Sequence, residues 1–285
     1  MPVEDCILLE LMKRVITAAV LIPLVLLLLL KGTYLLLVLA TALVAMLAAW
    51  EYSAIADSHG SQIPRPLLLI ATVLLFAAIL RNPSLVLPTL TASALILLIV
   101  CGFRSPLERV LADTAFSVFG LIYCGLTLAS VPLVWAQQPG GPSQVVFLLC
   151  IVWAGDVAAL YVGRSFGRHK LAPLISPQKS WEGSAASLAG SLLVAFALVS
   201  FTRGALRFPG PLAWWLMLAV GLNVFAQVGD LVESAIKRGA GVKDSGTLLP
   251  GHGGILDRID AILLAAPVLW YAQWIQQYFK WTNWR

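Results

Sequence analysis

The sequence predicts an all-α fold, that of a polytopic integral membrane protein with about nine transmembrane helices. Hydrophobic residues make up 60% of the 285 residues, charged residues make up 12%, and the mean hydropathy is +0.89. Soluble domains carry about 25% charged residues, so this composition excludes a soluble globular protein. Charged side chains concentrate in two segments of the C-terminal half, 164–183 and 230–258. We therefore expect a polar active-site cavity at the cytoplasmic side of that half.

The apolar runs approach the length of about 20 residues that a helix needs to cross the hydrocarbon core. The third run is short and ends at Arg81-Asn82-Pro83, so its division from the fourth run is the least clear. Prolines inside the runs are tolerated, because neighbouring membrane helices satisfy the carbonyl groups that proline frees. The predicted spans are 15–31, 33–50, 66–80, 84–103, 113–136, 145–163, 184–202, 211–229 and 259–279.

Lysine and arginine predict the orientation, because cytoplasmic loops carry an excess of both. With the N-terminus inside, the inside segments hold 13 of the 19 Lys and Arg residues and the outside segments hold 6. The N-terminus and both charged segments are therefore expected in the cytoplasm. The chain then divides into a cytoplasmic segment 1–14, N-terminal transmembrane helices 15–144 and a C-terminal transmembrane region 145–285. The net charge of +5 lies mostly in the cytoplasmic loops, which indicates contact with anionic headgroups and no nucleic acid.

The end of the eighth span carries a row of polar side chains. Asp230, Glu233, Ser234 and Lys237 are spaced i, i+3, i+4 and i+7, so they share one face if the helix continues past Gly229. Two acids, a hydroxyl and a cation on one face suit a metal–phosphate complex. A solvated helix end, with Glu233 paired to a cation one turn later, explains the same spacing equally well.

A glycine-rich segment, 239–254, follows that helix. Its backbone can approach an anion closely and offer N–H groups to phosphate oxygens. The phosphate-binding pattern GxxxxGK[ST] occurs nowhere in the chain, so the glycines alone are weak evidence. His252 could serve as a ligand, a proton carrier or a turn residue, and its spacing does not decide among these.

Asp257 and Asp260 open the ninth span three residues apart, so a helix places both carboxylates on one side. Acids are also favoured in a first helical turn by the helix dipole. Together with Asp230, however, they favour an oxygen site for Mg²⁺, which binds through one or two carboxylates plus phosphate oxygens and water.

A second charged cluster occupies 153–183. Asp156 lies inside the sixth span, where a charge is costly unless it faces a polar cavity. The basic residues that follow are explained by the positive-inside bias, but Asp156 is not. We therefore expect Asp156 to line a polar cavity.

The residues of 234–260 resemble the signature of the phosphatidate cytidylyltransferases (CDP-diacylglycerol synthases) of the bacterial type. The upstream residues Gly229, Asp230, Leu231 and Glu233 and the segment 153–183 also resemble that family. Clear similarity runs from about residue 150 to 270, and the N-terminal half is similar only as a run of membrane helices. The matching positions are Ser234, Ile236, Lys237, Arg238, Lys243, Asp244, Ser245, Gly246, Pro250, Gly251, His252, Gly253, Gly254, Asp257, Arg258 and Asp260.

The resemblance implies a nucleotidyltransferase of phospholipid synthesis at the cytoplasmic face of the cell inner membrane. CTP and phosphatidic acid would give CDP-diacylglycerol and pyrophosphate, with Mg²⁺ as cofactor. The expected partners are CTP, phosphatidic acid and the lipid bilayer. A second cation and a homodimer are left open.

The resemblance also implies roles for individual residues. The expected metal ligands are Asp230, Asp257 and Asp260. Cations that would neutralise the phosphates are Lys237, Arg238, Lys243 and Arg258. Hydrogen bonds to substrate would come from Ser234, His252, Gly253 and Gly254, while Asp244 would be a ligand or would orient Lys243. Nucleotide or headgroup contacts in the second cluster would be Lys170, Ser176, Lys179 and Glu182, with Asp156 in the cavity wall.

Two other functions would use similar features. A CTP-dependent lipid kinase would transfer the γ-phosphoryl group to an alcohol and release CDP. A transporter would move its substrate without nucleotide transfer, but many transporters hold the substrate near the midplane, whereas the charges here cluster toward one face. Product analysis separates the three.

Overall fold

The computed structural model describes residues 21–202, 205–248 and 253–278. Within these ranges the fold is all-α apart from one small hairpin. The helices are α1 (Leu21–Lys31), α2 (Tyr34–Ser58), α3 (Arg65–Arg81), α4 (Val86–Arg104), α5 (Val110–Gly120), α6 (Thr127–Trp135), α7 (Gly141–Phe166), α8 (Trp181–Phe201), α9 (Leu212–Gly239) and α10 (Leu256–Tyr278).

Two irregular turns organise the N-terminal helices. A 3₁₀ turn, Pro83–Leu85, separates α3 from α4, and the side chain of Asn82 accepts a hydrogen bond from Ser84 N at 3.0 Å to begin it. A π-helical segment, Leu121–Leu126, joins α5 to α6 in one rod. The described helices therefore make nine rods that follow the nine predicted spans, and the uncertain third and fourth spans are separate helices.

Six of the described helices are long and apolar enough to cross a bilayer. They are Tyr34–Ser58, Pro83–Arg104, Val110–Trp135, Gly141–Phe166, Trp181–Phe201 and Leu212–Gly239. The chain is thus a multi-pass membrane protein. A crossing number of nine stays a prediction, because α3 has 17 residues and α1 is described only from Leu21 to Lys31.

Helix α9 continues through Gly239, ten residues past the predicted end of the span at 229. The polar row from Asp230 to Lys237 is therefore helical, as its spacing predicts. Helix α7 likewise extends to Phe166, and the N–H of Gly167 bonds to the carbonyl of Gly163 at 3.1 Å. Both extensions carry polar side chains beyond the apolar part of their helix.

The connection between α7 and α8 contains the two-stranded hairpin. Strands β1 (Lys170–Ala172) and β2 (Ser176–Ser180) are antiparallel, with Lys170 opposite Ser180. The sequence predicted only a basic loop here. The strand pairing satisfies backbone hydrogen-bonding groups of this connection. Ser180, the last residue of β2, also caps α8, because its hydroxyl accepts the Gly183 N–H at 3.2 Å.

The buried side chains form two hydrophobic clusters. One is built mainly from α7, α8, α9 and α10, and the other mainly from α2, α3 and the rod of α5 and α6. Helix α10 belongs to both, since Leu269 packs in the first cluster and Leu256 and Leu263 pack in the second. The N-terminus of α10 is therefore held by the N-terminal helices. The predicted division at residue 144 stays a prediction.

Candidate active site

A polar cavity of about 380 Å³ opens among α7, β2, α8 and α9. It lies in the C-terminal half, where the sequence predicts the site. Four predicted site residues line it: Asp156, Ser176, Lys179 and Asp230. Further lining residues that the sequence did not single out for the site are Arg164, Gln178, Ser180, Ser184, Ser187 and Gln227.

Asp230 and Lys179 form an ion pair across this cavity, with Lys179 Nζ 2.7 Å from Asp230 Oδ2. Lys179 projects from β2 and Asp230 from α9, so the hairpin delivers a cation to the helix. The Ser234 hydroxyl lies 3.5 Å from Asp230 Oδ1, at the long limit of a hydrogen bond. A cation beside a carboxylate in a polar cavity can exchange its partner for a phosphate group.

Helices α9 and α10 cross closely at Gly229. A Cβ atom at Gly229 would lie 2.5 Å from the carbonyl oxygen of Asp260 and 3.3 Å from Ala261 Cα. The crossing places Asp260 within electrostatic range of Asp230, Glu233 and Asp156. Four carboxylates therefore gather where α7, α9 and α10 meet.

Lys237 links α9 to the start of α10. Its Nζ lies 2.6 Å from Glu233 Oε2 and 2.5 Å from Asp257 Oδ1. The three side chains are only 12%, 1% and 10% exposed, respectively. The i,i+4 pair that the solvated-helix interpretation required is present, but it is buried and extended to a second helix. The Glu233–Lys237 pair is therefore not an ordinary ion pair of a solvated helix end.

Asp257 gathers donors from the glycine-rich segment. Its Oδ2 accepts the Ser245 N–H at 3.0 Å, the Ser245 hydroxyl at 2.9 Å and the Gly254 N–H at 2.8 Å. Gly253 has a φ of +76°, and a Cβ there would lie 2.6 Å from Asp257 Oδ2. The carboxylate thus closes the loop between α9 and α10 onto the first turn of α10.

Glu51 of α2 joins the same cluster from the N-terminal half. It is 2% exposed, and its carboxylate accepts the N–H groups of Ile255 at 3.0 Å and Leu256 at 2.8 Å and the Ser245 hydroxyl at 3.0 Å. Sequence reasoning missed it, because the predicted second span ends at residue 50 and a charge just beyond a span is ordinary.

A row of neutral polar side chains leads from the cavity into the helix bundle. Asn223 Nδ2 donates to the hydroxyls of Ser187 at 2.8 Å and Ser191 at 2.9 Å, and Gln227 Nε2 donates to Asn223 Oδ1 at 2.6 Å. The Ser184 hydroxyl donates to Gln227 Oε1 at 2.5 Å. Sequence reasoning missed these residues as well, since single neutral side chains barely interrupt an apolar run.

Arg238 and Glu182 are predicted site residues that do not line the cavity. Arg238 is exposed and donates to the Val242 carbonyl at 3.2 Å, and Glu182 pairs with His169 Nδ1 at 2.7 Å. His252 lies outside the described residues. The remaining exposed predicted residues are Lys170, Lys243, Asp244 and Arg258.

The carboxylates have the donor chemistry for Mg²⁺. Asp156, Asp230 and Glu233 lie within electrostatic range of Asp260, while the lysines paired to this set are Lys179 and Lys237. A divalent cation would balance the excess negative charge, and it needs only one or two protein carboxylates. In 21–202, 205–248 and 253–278 no three acidic, His or Cys side chains are arranged to hold a metal together. Joint ligation by Asp230, Asp257 and Asp260 therefore stays a prediction.

Comparison with known proteins gives the family. The cytidylyltransferase family model matches residues 12–276. Proteins named phosphatidate cytidylyltransferase from Brucella suis, Bacillus subtilis and Haemophilus influenzae are 45%, 38% and 42% identical over 156, 159 and 127 residues. These matches cover 53%, 56% and 45% of this chain and 54%, 58% and 44% of the relatives, so the chain spans about half the length of the curated relatives it matches. Because the family model covers most of its length, the chain belongs to the cytidylyltransferase family.

Proposed function

We propose that this protein transfers the cytidylyl group of CTP to phosphatidic acid, giving CDP-diacylglycerol and pyrophosphate. The main support is the arrangement of the signature residues. Lys237 and Asp257 are paired, and Asp260 interacts with Asp230, which lines the polar cavity. Family membership and the names of the relatives support the same reaction.

The reaction joins two polyanions, so the site must supply positive charge. An oxygen of the lipid phosphate forms a bond to the α-phosphorus of CTP, and the bond from that phosphorus to the bridging oxygen breaks. Pyrophosphate leaves with the electron pair. A phosphate monoester, whose second pKa is about 6, is already largely a dianion at neutral pH. The site therefore needs no strong base, and positioning and charge neutralisation carry the catalysis.

Lys179 is the first candidate to receive a substrate phosphate, because it faces the cavity and is paired only through one carboxylate oxygen. Arg164 is a second cation in the described cavity wall. Lys237 is more enclosed, and it holds Glu233 and Asp257 in place. The exposed residues Arg238 and Lys243 would steer the nucleotide from the cytoplasm.

Asp230 and Asp260 would hold Mg²⁺, with Asp257 as the third ligand that the family resemblance implies. When bound, the ion neutralises charge on the phosphates of CTP and on departing pyrophosphate. Asp257 as described already accepts from Lys237, Ser245 and Gly254. Its contacts orient the carboxylate whether or not it reaches the metal.

The positive-inside pattern supports an orientation with the N-terminus and the cavity in the cytoplasm, in the cell inner membrane. CTP would then reach the site from the cytosol and phosphatidic acid from the inner leaflet. Three residues of the neutral polar row, Ser184, Ser187 and Gln227, line the cavity and would contact the headgroup or ester groups of the lipid.

The reaction is tested with purified protein in detergent, phosphatidic acid, Mg²⁺ and CTP labelled on either the α- or the γ-phosphate. We expect the α-label in a CDP-lipid, the γ-label in pyrophosphate, and loss of both products with EDTA. Transfer of the γ-label to lipid would indicate a kinase instead. Absence of either transfer by a folded sample would contradict the proposal.

The close crossing at Gly229 gives a test of the site's architecture. Gly229→Ala is expected to force α9 and α10 apart and to lower both thermal stability in detergent and transfer activity, because overpacking a tight contact costs about 1–3 kcal/mol. Gly221→Ala on the same helix is the matched control, since a Cβ there meets only Val268 Cγ1, at 3.8 Å. Equal melting temperatures and activities for the two variants would contradict a close crossing at Gly229.

A further inference from the structure

Glu51 is a buried carboxylate to which the proposed reaction assigns no role. It lies on α2, and its hydrogen-bond partners, Ser245, Ile255 and Leu256, lie about 200 positions later in the chain. We propose that Glu51 is a positioning residue that fixes the glycine-rich loop and thereby orients Asp257 toward Lys237. Its effect on turnover rests on the proposed function, but its effect on the loop does not.

Glu51 supplies the N-terminal cap of α10 from another helix. The first N–H groups of a helix have no partner within it, and a negative side chain is favoured there. The Glu51 Oε1 atom accepts the Ile255 N–H at 3.0 Å and Oε2 accepts the Leu256 N–H at 2.8 Å. Because the cap comes from α2, the start of α10 is fixed relative to the N-terminal half of the protein.

Ser245 connects Glu51 to Asp257. Its hydroxyl oxygen lies 3.0 Å from Glu51 Oε2 and 2.9 Å from Asp257 Oδ2, and one hydroxyl proton can be donated to only one of them at a time. The Ser245 N–H donates to Asp257 at 3.0 Å. Contacts therefore run without interruption from Glu51 through Ser245 to Asp257, and from Asp257 to Lys237.

Two glycines of the loop independently indicate how closely the Glu51 carboxylate is seated. A Cβ at Gly254 would lie 2.3 Å from Glu51 Oε2 and 2.1 Å from the Ser245 hydroxyl, and a Cβ at Gly246 would lie 2.6 Å from Glu51 Oε1. The carboxylate thus occupies the space that side chains at both positions would need. Glycine at 246 and 254 therefore leaves room for the Glu51 carboxylate, in addition to any role in letting the backbone approach phosphate.

The matched pair of variants is Glu51→Gln and Asp113→Asn. Glutamine keeps the shape of Glu51 but removes its charge and turns an N–H donor toward one of its present donor partners. Asp113 is another buried carboxylate of the N-terminal half, 0% exposed, which accepts from Gln62 N at 2.9 Å and the Ser105 hydroxyl at 2.6 Å. None of these contacts involves the loop or α10.

Hydrogen exchange of the purified variants in detergent tests the positioning without any assay of activity. For Glu51→Gln we expect exchange at least about tenfold faster in peptides covering 243–257, and unchanged exchange around residues 58–66. For Asp113→Asn we expect faster exchange around residues 58–66 and unchanged exchange at 243–257. Unchanged exchange at 243–257 in folded Glu51→Gln, or a uniform increase along the whole chain, would overturn the positioning role.

Kinetics test the consequence for catalysis. Glu51→Gln is expected to lower kcat by about 10- to 100-fold, as loss of a supporting contact to a site residue does, with little change in the KM for CTP. Asp113→Asn should stay within about twofold of the parent. Should Glu51→Gln fail to fold, Ser245→Ala breaks the same connection from the other side, and normal exchange at 243–257 together with normal kcat in that variant would overturn the proposal. Failure of the parent protein to form CDP-lipid would contradict the proposed function while leaving the exchange result decisive for Glu51.

Discussion

Asp257→Asn is expected to lower cytidylyl transfer by at least about 100-fold, the typical loss on removing one electrostatic contact in an active site, in a protein that still folds. The Asp257 carboxylate pairs with Lys237 at 2.5 Å and accepts from Ser245 and Gly254. Asparagine has nearly the same shape but no charge, and it replaces one acceptor oxygen with a donor. Lys237 would keep only Glu233 as a charged partner. The measurement is the initial rate of CDP-lipid formation at saturating CTP.

The control for this prediction is Asp57→Asn, which removes an acid that pairs with Arg65 at the end of α2, far along the chain from the signature. It should leave the rate within about twofold of the parent, because an ion pair at least one-third exposed contributes little. A folded Asp257→Asn enzyme with near-normal turnover would remove Asp257 from the catalytic machinery. It would also remove the expected effect of Glu51→Gln on turnover, but not its expected effect on hydrogen exchange in the loop.

The helices could be predicted from hydropathy because each apolar run is bounded by charges or prolines. Pro83 is an example, since it ends α3 and starts the turn before α4. Hydropathy did not predict the continuation of α9 to Gly239, because Asp230, Glu233, Lys237 and Arg238 interrupt the apolar run in its last ten residues. The i, i+3, i+4, i+7 spacing, from Asp230 to Lys237, is compatible with a helix, and the structure shows that the helix does continue.

The acids and cations of the site were predicted from spacing and from the family signature, but their partners were not. Which lysine meets which acid depends on how helices cross, and the pairing of Lys179 with Asp230 brings together residues about 50 positions apart. Glu51 is the extreme case, since its partners lie in a different half of the chain. Spacing within a helix carries no information on contacts of that kind.

The structure separates the predicted site residues into two sets, one lining the cavity and one around Asp257, which their residue types do not distinguish. Asp230 faces an open cavity with Lys179, whereas Asp257 is 10% exposed and surrounded by donors. A cation in the cavity can be released to a substrate, while one in the enclosed cluster supports its neighbours. We therefore expect substitutions of Lys179 or Asp230 in the cavity to change substrate affinity, and substitutions of Asp257 or Lys237 to change turnover.

Lys179→Ala tests that distinction, and it is expected to lower kcat/KM for CTP or phosphatidic acid by about 100-fold, mostly through KM. Lys179 is 25% exposed in the cavity and forms its ion pair with Asp230 at 2.7 Å. Removing it leaves the two cavity carboxylates, Asp230 and Asp156, without the lysine that offsets their charge, so they repel an incoming polyanion. The loss corresponds to about 2.7 kcal/mol of binding free energy. Kinetics with each substrate varied in turn identify which phosphate Lys179 meets.

Arg168→Ala is the matched control for Lys179→Ala, because Arg168 is an exposed cation in the same connection between α7 and α8 and does not line the cavity. Both variants lose one positive charge, so a general loss of attraction for anions would lower the two activities alike. A change of no more than about threefold for Arg168→Ala, beside a large rise in KM for Lys179→Ala, would assign the effect to the cavity lysine. Equal effects would mean that the connection between α7 and α8 acts through its overall charge. A fall in kcat alone for Lys179→Ala would mean that Lys179, like Lys237, supports turnover and not substrate affinity.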